Sequence, residues 1–189
     1  MRSCDALALR LGAIQIRAMR RLLLLRHAKA AHPTGGGDRE RALVERGRRD
    51  AQRVGAFLAE ADLIPDLTIH SGAERARQTA AIVVNAWPRA NEARTEPGLY
   101  EAAAAGLYAI VRALPDAAPS VMLIGHNPSL ADLADHLAGS GATSDVARMA
   151  AKFPTAGLAV LEFDIDRWRD AAPGSARLAR FVTPESLGA

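Results

Sequence analysis

The sequence predicts an α/β domain built on a mainly parallel sheet covered by helices. Two observations predict it. Short apolar runs alternate along the chain with segments of helical periodicity, the pattern of strand–helix–strand units. Three of those runs also lead straight into phosphate-friendly residues: Arg26-His27 after 22–25, His70-Ser71 closing 67–70, and Gly125-His126 after 121–124. In such sheets a ligand sits beyond the carboxyl ends of the strands, so the three ends should face one crevice.

The elements follow in order. Residues 1–18 form a broken leader, with Leu7, Leu11 and Ile14 on one helical face; Met19-Arg20-Arg21 then opens the first strand. This divides the chain into an N-terminal extension at 1–18, expected to be dispensable, and a domain at 19–189. Residues 45–61 carry Ala51, Val54, Phe57 and Leu58 at helical spacing. Pro65 punctuates before the strand at 67–70. The helix over 73–86 closes at Trp87-Pro88, because a residue before proline disfavours helical torsions. A helix over 107–114 ends at Pro115, and a strand at 121–124 precedes a helix over 129–137 with Ser129 as its expected N-cap. Residues 158–163 and 178–182 read as late strands. The low-complexity patch is Gly35-Gly36-Gly37.

Composition narrows the function classes. At 189 residues with 49% hydrophobic and 24% charged side chains, the chain suits one soluble domain. No apolar run approaches the ~20 residues that cross a bilayer, so no membrane role is expected. The single cysteine, Cys4, excludes an internal disulfide and a zinc ligand set, and a cytoplasmic location is the default. Aromatics are 4% and no basic stretch is interleaved with them, which argues against nucleic acid. Nearly all positive charge is arginine, the exceptions being Lys29 and Lys152. Compositional bias accounts for that total, so individual arginines count only by position.

The chemistry lies at the strand ends. A histidine there can attack phosphorus through one ring nitrogen while the other is held by a hydrogen bond, which suits His27; read alone, it is also an exposed loop histidine beside a solvated arginine. Arg26 beside it would neutralise phosphate oxygens. The segment from Ser71 through Thr79 leaves a strand and opens a helix whose free N–H groups point at the crevice, with Arg75 and Gln78 on one face. Gly125 permits close backbone approach, and His126 adds a second imidazole; read alone, this is also an ordinary strand-to-helix turn with a structural histidine, and Arg75 a helix arginine paired with a surface acid.

In this order the pieces resemble the histidine phosphatase superfamily, the phosphoglycerate mutase-like proteins. That signature runs Arg-His-Gly, then Ser-Pro-x-x-Arg-Ala-x-x-Thr, then a later Gly-His. Here they stand as Arg26-His27-Ala28, Ser71-Gly72-Ala73-Glu74-Arg75-Ala76-Arg77-Gln78-Thr79 and Gly125-His126. Ala28 replaces the motif glycine and Gly72 the motif proline. Residues Lys29, Asp38, Arg41-Ala42-Leu43, Arg46-Gly47, Leu99-Tyr100-Glu101-Ala102, Asn127-Pro128, Phe153-Pro154-Thr155-Ala156 and Trp168 are similar to the SixA-like phosphohistidine phosphatase branch.

The resemblance implies a three-layer α/β/α sandwich without a large cap insertion, and hence an open pocket. It implies His27 as the nucleophile, with Arg26, Arg75 and His126 binding the phosphoryl oxygens. The backbone N–H of Asn127 would assist. Arg41 would either add a phosphate contact or stand as a solvated loop arginine. Glu101 would either protonate a leaving group or start the next helix as an exposed acid. No cofactor and no metal are expected. The implied substrate is phosphohistidine in a protein; the alternatives are a broad phosphomonoesterase acting on small phosphorylated metabolites, and a non-catalytic phosphate- or phosphoprotein-binding module. A pure binder has no need of a nucleophile. Oligomeric state has no signature in the sequence.

Overall fold

The computed structural model describes residues 19–33, 37–89 and 91–188. The leader at 1–18 and all of the triglycine but Gly37 lie outside them. The described strands are β1 (Met19–Arg26), β2 (Leu67–His70), β3 (Glu92–Thr95), β4 (Ser120–Gly125), β5 (Ala138–Gly141), β6 (Leu158–Asp164) and β7 (Ala176–Val182). They form one sheet in the order β3-β2-β4-β1-β6-β7-β5. The pairs β3-β2, β2-β4, β4-β1 and β7-β5 are parallel, whereas β6 runs antiparallel to both β1 and β7. The expected mainly parallel sheet is therefore present, with β6 set against its direction.

The helices are α1 (Glu45–Glu60), α2 (Glu74–Asn85), α3 (Gly98–Glu101), α4 (Ala104–Arg112), α5 (Ser129–Leu137) and α6 (Thr143–Ala151). Successive strand side chains point to opposite faces, and β1 shows what that does to a continuous leucine run. Leu23 and Leu25 join Val54 and Leu58 of α1 and Ala80 and Val83 of α2. Leu22 and Leu24 join Val111 of α4 and Leu130 and Leu133 of α5 on the other side. All four leucines are fully buried, which makes β1 the centre of a three-layer sandwich.

Several elements differ from expectation. The N-cap of α5 is Pro128, and Ser129 is the first helical residue with no side-chain cap. Strand β3 is Glu-Ala-Arg-Thr at the sheet edge, exposed at every position, so no apolar pattern announces it. Strand β5 is Ala-Gly-Ser-Gly, and its order comes from pairing with β7. Helix α6 buries only Met149. Between β3 and β4 the chain builds only the short α3 and α4, so no cap insertion is present.

Candidate active site

Register brings the strand ends into step. Arg26 pairs with Gly125, and His70 pairs with Ile124, so His27, Ser71 and His126 leave the sheet at one level. His27 N–H donates to Gly125 O at 3.0 Å, and Ser71 N–H donates to Ile124 O at 3.1 Å. Leu158, the first residue of β6, pairs with Leu25. The loop preceding β6, residues 153–157, therefore arrives at the same sheet end. There Ala156 N–H donates to the carbonyls of Arg26 (3.1 Å) and His27 (3.2 Å), and Ala156 holds φ 56°. A non-glycine residue in the left-handed region is uncommon, and here that conformation accompanies the hydrogen bonds that fix the nucleophile's backbone.

The imidazole of His27 is fixed from both sides. Its Nδ1 lies 2.8 Å from Ala28 O, so Nδ1 carries the proton and donates it. Its Nε2 keeps the lone pair, which accepts from Arg75 Nε at 3.3 Å. Burial first, then the neighbouring His126, Arg75 and Arg26, lowers the His27 pKa to about 3 against the pull of the Ala28 carbonyl. The ring is neutral at physiological pH.

His126 is its partner, with ring centroids 5.0 Å apart. Arg75 Nη2 approaches His126 Nδ1 at 3.3 Å, so Nδ1 accepts and Nε2–H donates to Ser71 Oγ at 2.6 Å. Burial, with Arg75 and Arg26, holds its pKa at about 4 although Asp38 pulls the other way. Arg75 thus joins the two histidines, and it is itself only 5% exposed.

The motif threonine explains how α2 and β1 stay in register. Thr79 Oγ1 accepts Ala28 N–H at 3.0 Å and donates to Arg75 O at 2.6 Å. Gln78 Oε1 accepts Leu43 N–H at 2.8 Å and so ties α2 to the chain entering α1. Gly47 permits that entry: a Cβ there would stand 2.1 Å from Lys29 O. The two departures from the motif are accommodated. The Ala28 methyl is fully buried in the α1/α2-side core. A Cβ on Gly72 would meet only Thr95 Cγ2, at 3.6 Å.

Other expected residues sit differently. Arg26 lines the crevice but sends Nη1 to Phe153 O at 2.9 Å, and its buried Nε has no partner among the described residues. Asn127 Nδ2 donates to the same carbonyl at 2.9 Å. Arg41 donates to Ala31 O (2.7 Å) and Asp38 Oδ1 (2.8 Å), reaching the crevice only through Asp38. Glu101 does not join the site. Its side chain is 76% exposed and paired with Arg39 at 2.8 Å. The single turn of α3 presents Tyr100 instead, whose ring meets His126 at 5.2 Å.

Among the described residues no cap insertion lies over the crevice, yet the nucleophile is deeply seated. His27 is only 8% exposed. Asp38 sits on Arg75: its carbonyl accepts from Arg75 Nη1 (2.6 Å), and its Oδ2 accepts from Arg75 Nη2 (2.8 Å) and the Tyr100 hydroxyl (2.6 Å). Tyr100, then Arg41 and Arg75, hold the Asp38 carboxyl well below the usual carboxylate range. In the sequence Asp38 and Tyr100 stand only as marks of resemblance, and Ser71 as a polar strand end opening a motif. Their roles come from tertiary contacts. Among the described residues no group of three or more His, Cys, Asp or Glu side chains is placed to hold a metal ion.

The sequence and the fold are similar to those of known proteins. The model of the histidine phosphatase superfamily (branch 1) matches residues 22–108. The uncharacterized Mycobacterium tuberculosis protein Rv1276c is 38% identical over 162 residues, 85% of this chain and 99% of that relative. The candidate phosphohistidine phosphatase SixA of Agrobacterium tumefaciens superposes with a TM-score of 0.74 at 31% identity, over 87% of this chain and 98% of that one.

The chain belongs to the histidine phosphatase superfamily.

A second structure, the candidate phosphohistidine phosphatase SixA from Nakamurella multipartitia, superposes with a TM-score of 0.75 at 26% identity, over 88% of this chain and 96% of that one. Within the superfamily the present chain therefore has the compact SixA-like architecture. Membership carries phosphatase chemistry on a phosphorylated substrate. No helix among the described residues is long and apolar enough to cross a membrane.

Proposed function

We propose that this phosphatase removes phosphate from phosphohistidine in proteins through a covalent intermediate on His27. The observation that carries the reading is the state of His27: neutral, with Nδ1–H held by Ala28 O and the Nε2 lone pair facing Arg75. A nucleophile needs that combination, and a merely structural histidine does not.

In the first step Nε2 attacks phosphorus and the substrate's P–N bond breaks. The electron pair leaves with the substrate nitrogen. Its ring departs as neutral imidazole, because its other nitrogen already carries a proton near the ordinary imidazole pKa of about 6.5. His27 then bears the phosphoryl group on Nε2 and keeps its proton on Nδ1. In the second step water attacks phosphorus, the P–Nε2 bond breaks, and dihydrogen phosphate leaves with both water protons. Arg75 and Arg26 hold the phosphoryl oxygens, and the Asn127 N–H assists. His126 stands beside the nucleophile, its Nε2–H held by Ser71 Oγ, and completes the wall of the phosphoryl pocket.

Transfer between two imidazoles needs no acid. An alkyl phosphate does need one, and general acid help is typically worth about 10²–10⁴-fold. Glu101 is turned to solvent and Asp38 is held ionised, so phosphohistidine is favoured over small-metabolite esters. Rapid-quench labelling with a phosphohistidine protein is expected to trap a phosphoenzyme in the parent and none in His27→Ala, with kcat/KM higher than for a sugar phosphate. Normal turnover in His27→Ala would end the covalent reading, and preference for the sugar phosphate would end the substrate assignment.

A further inference from the structure

Beside the catalytic crevice lies a separate groove of about 820 Å³, and Arg26 belongs to both. It is lined by five cationic side chains: Arg26, Lys29, Arg46, Arg148 and Lys152. The chain holds only two lysines, and both are here, one from the β1–α1 connection and one from the end of α6. Arginine-rich composition cannot account for that placement. Two acids share the lining, Asp50 and Glu185. The Asp50 side chain is 3% exposed and lies beneath Arg46 (3.7 Å) and Arg53 (3.4 Å). Of the two lining acids Glu185 is the exposed one.

The charges do not converge as they would around one phosphate group. Arg148 is held by Asp145 at 2.6 Å, and Arg46 by Asp50, while both lysines are exposed. They come from separate elements, which makes a distributed positive field. Such a field raises encounter rates with an opposite surface more than it grips a small ion. Point-charge ammonium groups, unlike paired arginines, also lack the planar fork that selects phosphate.

We infer that this groove docks an acidic polypeptide segment flanking the phosphorylated residue of the protein substrate. Arg26 makes docking and chemistry contiguous: its Nη1 is anchored on Phe153 O, its Nε is buried beside the crevice, and its side chain lines the groove. The inference rests on the protein-substrate reading above, but its test does not require turnover.

The probe is a fluorescein-labelled glutamate-rich peptide of about 12 residues, which spans roughly 40 Å when extended. Its binding to the full chain is followed by anisotropy at low salt, for the parent, for His27→Ala and for the double variant Lys29→Glu/Lys152→Glu. Parent and His27→Ala are expected to bind alike. The double variant should lose at least about tenfold in affinity, and binding by the parent should collapse in about 1 M salt, where the Debye length is about 3 Å. Lys29→Ala/Lys152→Ala should weaken binding to an intermediate degree, and it decides the matter if the charge reversal prevents folding. Hydrolysis of an aryl phosphate by both double variants should match the parent.

Equal peptide binding by parent and lysine variants overturns the inference. So does tighter, lysine-dependent binding of ATP or of an RNA oligonucleotide of equal length, which would make the groove a site for another ligand. Absence of a His27 phosphoenzyme with intact lysine-dependent peptide binding would instead count against the mechanism and leave the groove assignment standing.

Discussion

The behaviour of two imidazoles follows from what surrounds each ring. Burial and the cations beside them hold His27 at about 3 and His126 at about 4. Nucleophilic competence should therefore persist well below the ordinary histidine range. Single-turnover rates on an aryl phosphate are expected to keep their plateau through pH 5 and to fall only near pH 4; a limb near pH 6.5 would contradict a neutral buried His27. Stability should move oppositely. Above pH 6.5 both rings are neutral folded or unfolded, and they contribute no pH dependence. As pH falls from 6.5 toward 4 the unfolded chain takes up protons that the folded chain refuses, so stability is lost. The urea midpoint should be lower at pH 5 than at pH 7. Asp38 makes a separate claim at this scale. It occupies both outer nitrogens of Arg75, the groups a phosphoryl ligand would use. Asp38→Ala removes the competing carboxylate, whose side chain is 48% exposed, so the gain is modest at ~1 kcal/mol. Inhibition by inorganic phosphate should tighten several-fold, and calorimetric titration reads it directly. Unchanged or weaker phosphate binding would mean that Asp38 organises the site instead of filling it.

Between elements, the decisive link joins the end of β1 to the first turns of α2. Thr79 spans it, taking the Ala28 N–H and giving its own proton to Arg75 O. Thr79→Val keeps the shape but leaves the buried Ala28 N–H without its acceptor, at a cost of about 1–3 kcal/mol. The variant should melt lower and lose kcat more than KM, because Ala28 also holds His27 Nδ1. A loss confined to melting temperature would show that the bond serves only the fold. The loop at 153–157 acts from the other side. Phe153 O anchors Arg26 and Asn127, and Ala156 anchors the backbone of Arg26 and His27. Its sequence distance from the motifs conceals this role; the antiparallel β6 that begins beside Leu25 creates it.

Across the whole molecule, β1 divides the sheet into a parallel half that carries the site and a half built on antiparallel β6. The parallel half brings three strand ends to one level, and β6 returns its preceding loop to that level. The far edge of the site half is the exposed, charged β3, a sequence that resists pairing with another chain. Strand β1 begins at Met19 and pairs with Asp164 at once. A chain starting at Met19 is therefore expected to retain the full sheet and the site, with a melting temperature within about 2 °C of the parent. A larger fall, or loss of turnover, would show that residues 1–18 pack on the domain.

Local patterning was enough for the strands and helices with a strong apolar face. The leucine run at 22–25, the helical spacing through Ala51, Val54 and Leu58, and Pro88 and Pro115 as stops all lie in contiguous sequence, and each acts over a few residues. The same patterning placed Arg26, His27, Arg75 and His126 at strand ends or on the first turn of a helix, but the roles proposed for them came from the family resemblance and not from local pattern. Elements lacking an apolar signature, such as β3 and β5, depend on a neighbouring strand for their hydrogen bonds, and a single-sequence reading does not see that neighbour. Side-chain direction was beyond reach for the same reason. Leu99-Tyr100-Glu101 contains an acid at a suggestive position, but one turn of α3 aims Tyr100 at His126 and leaves Glu101 to Arg39. Asp38 reaches Arg75 across 37 residues of chain. Residue type and local period are written along the chain; which carboxylate meets which guanidinium is decided only when separate elements pack and exclude water between them.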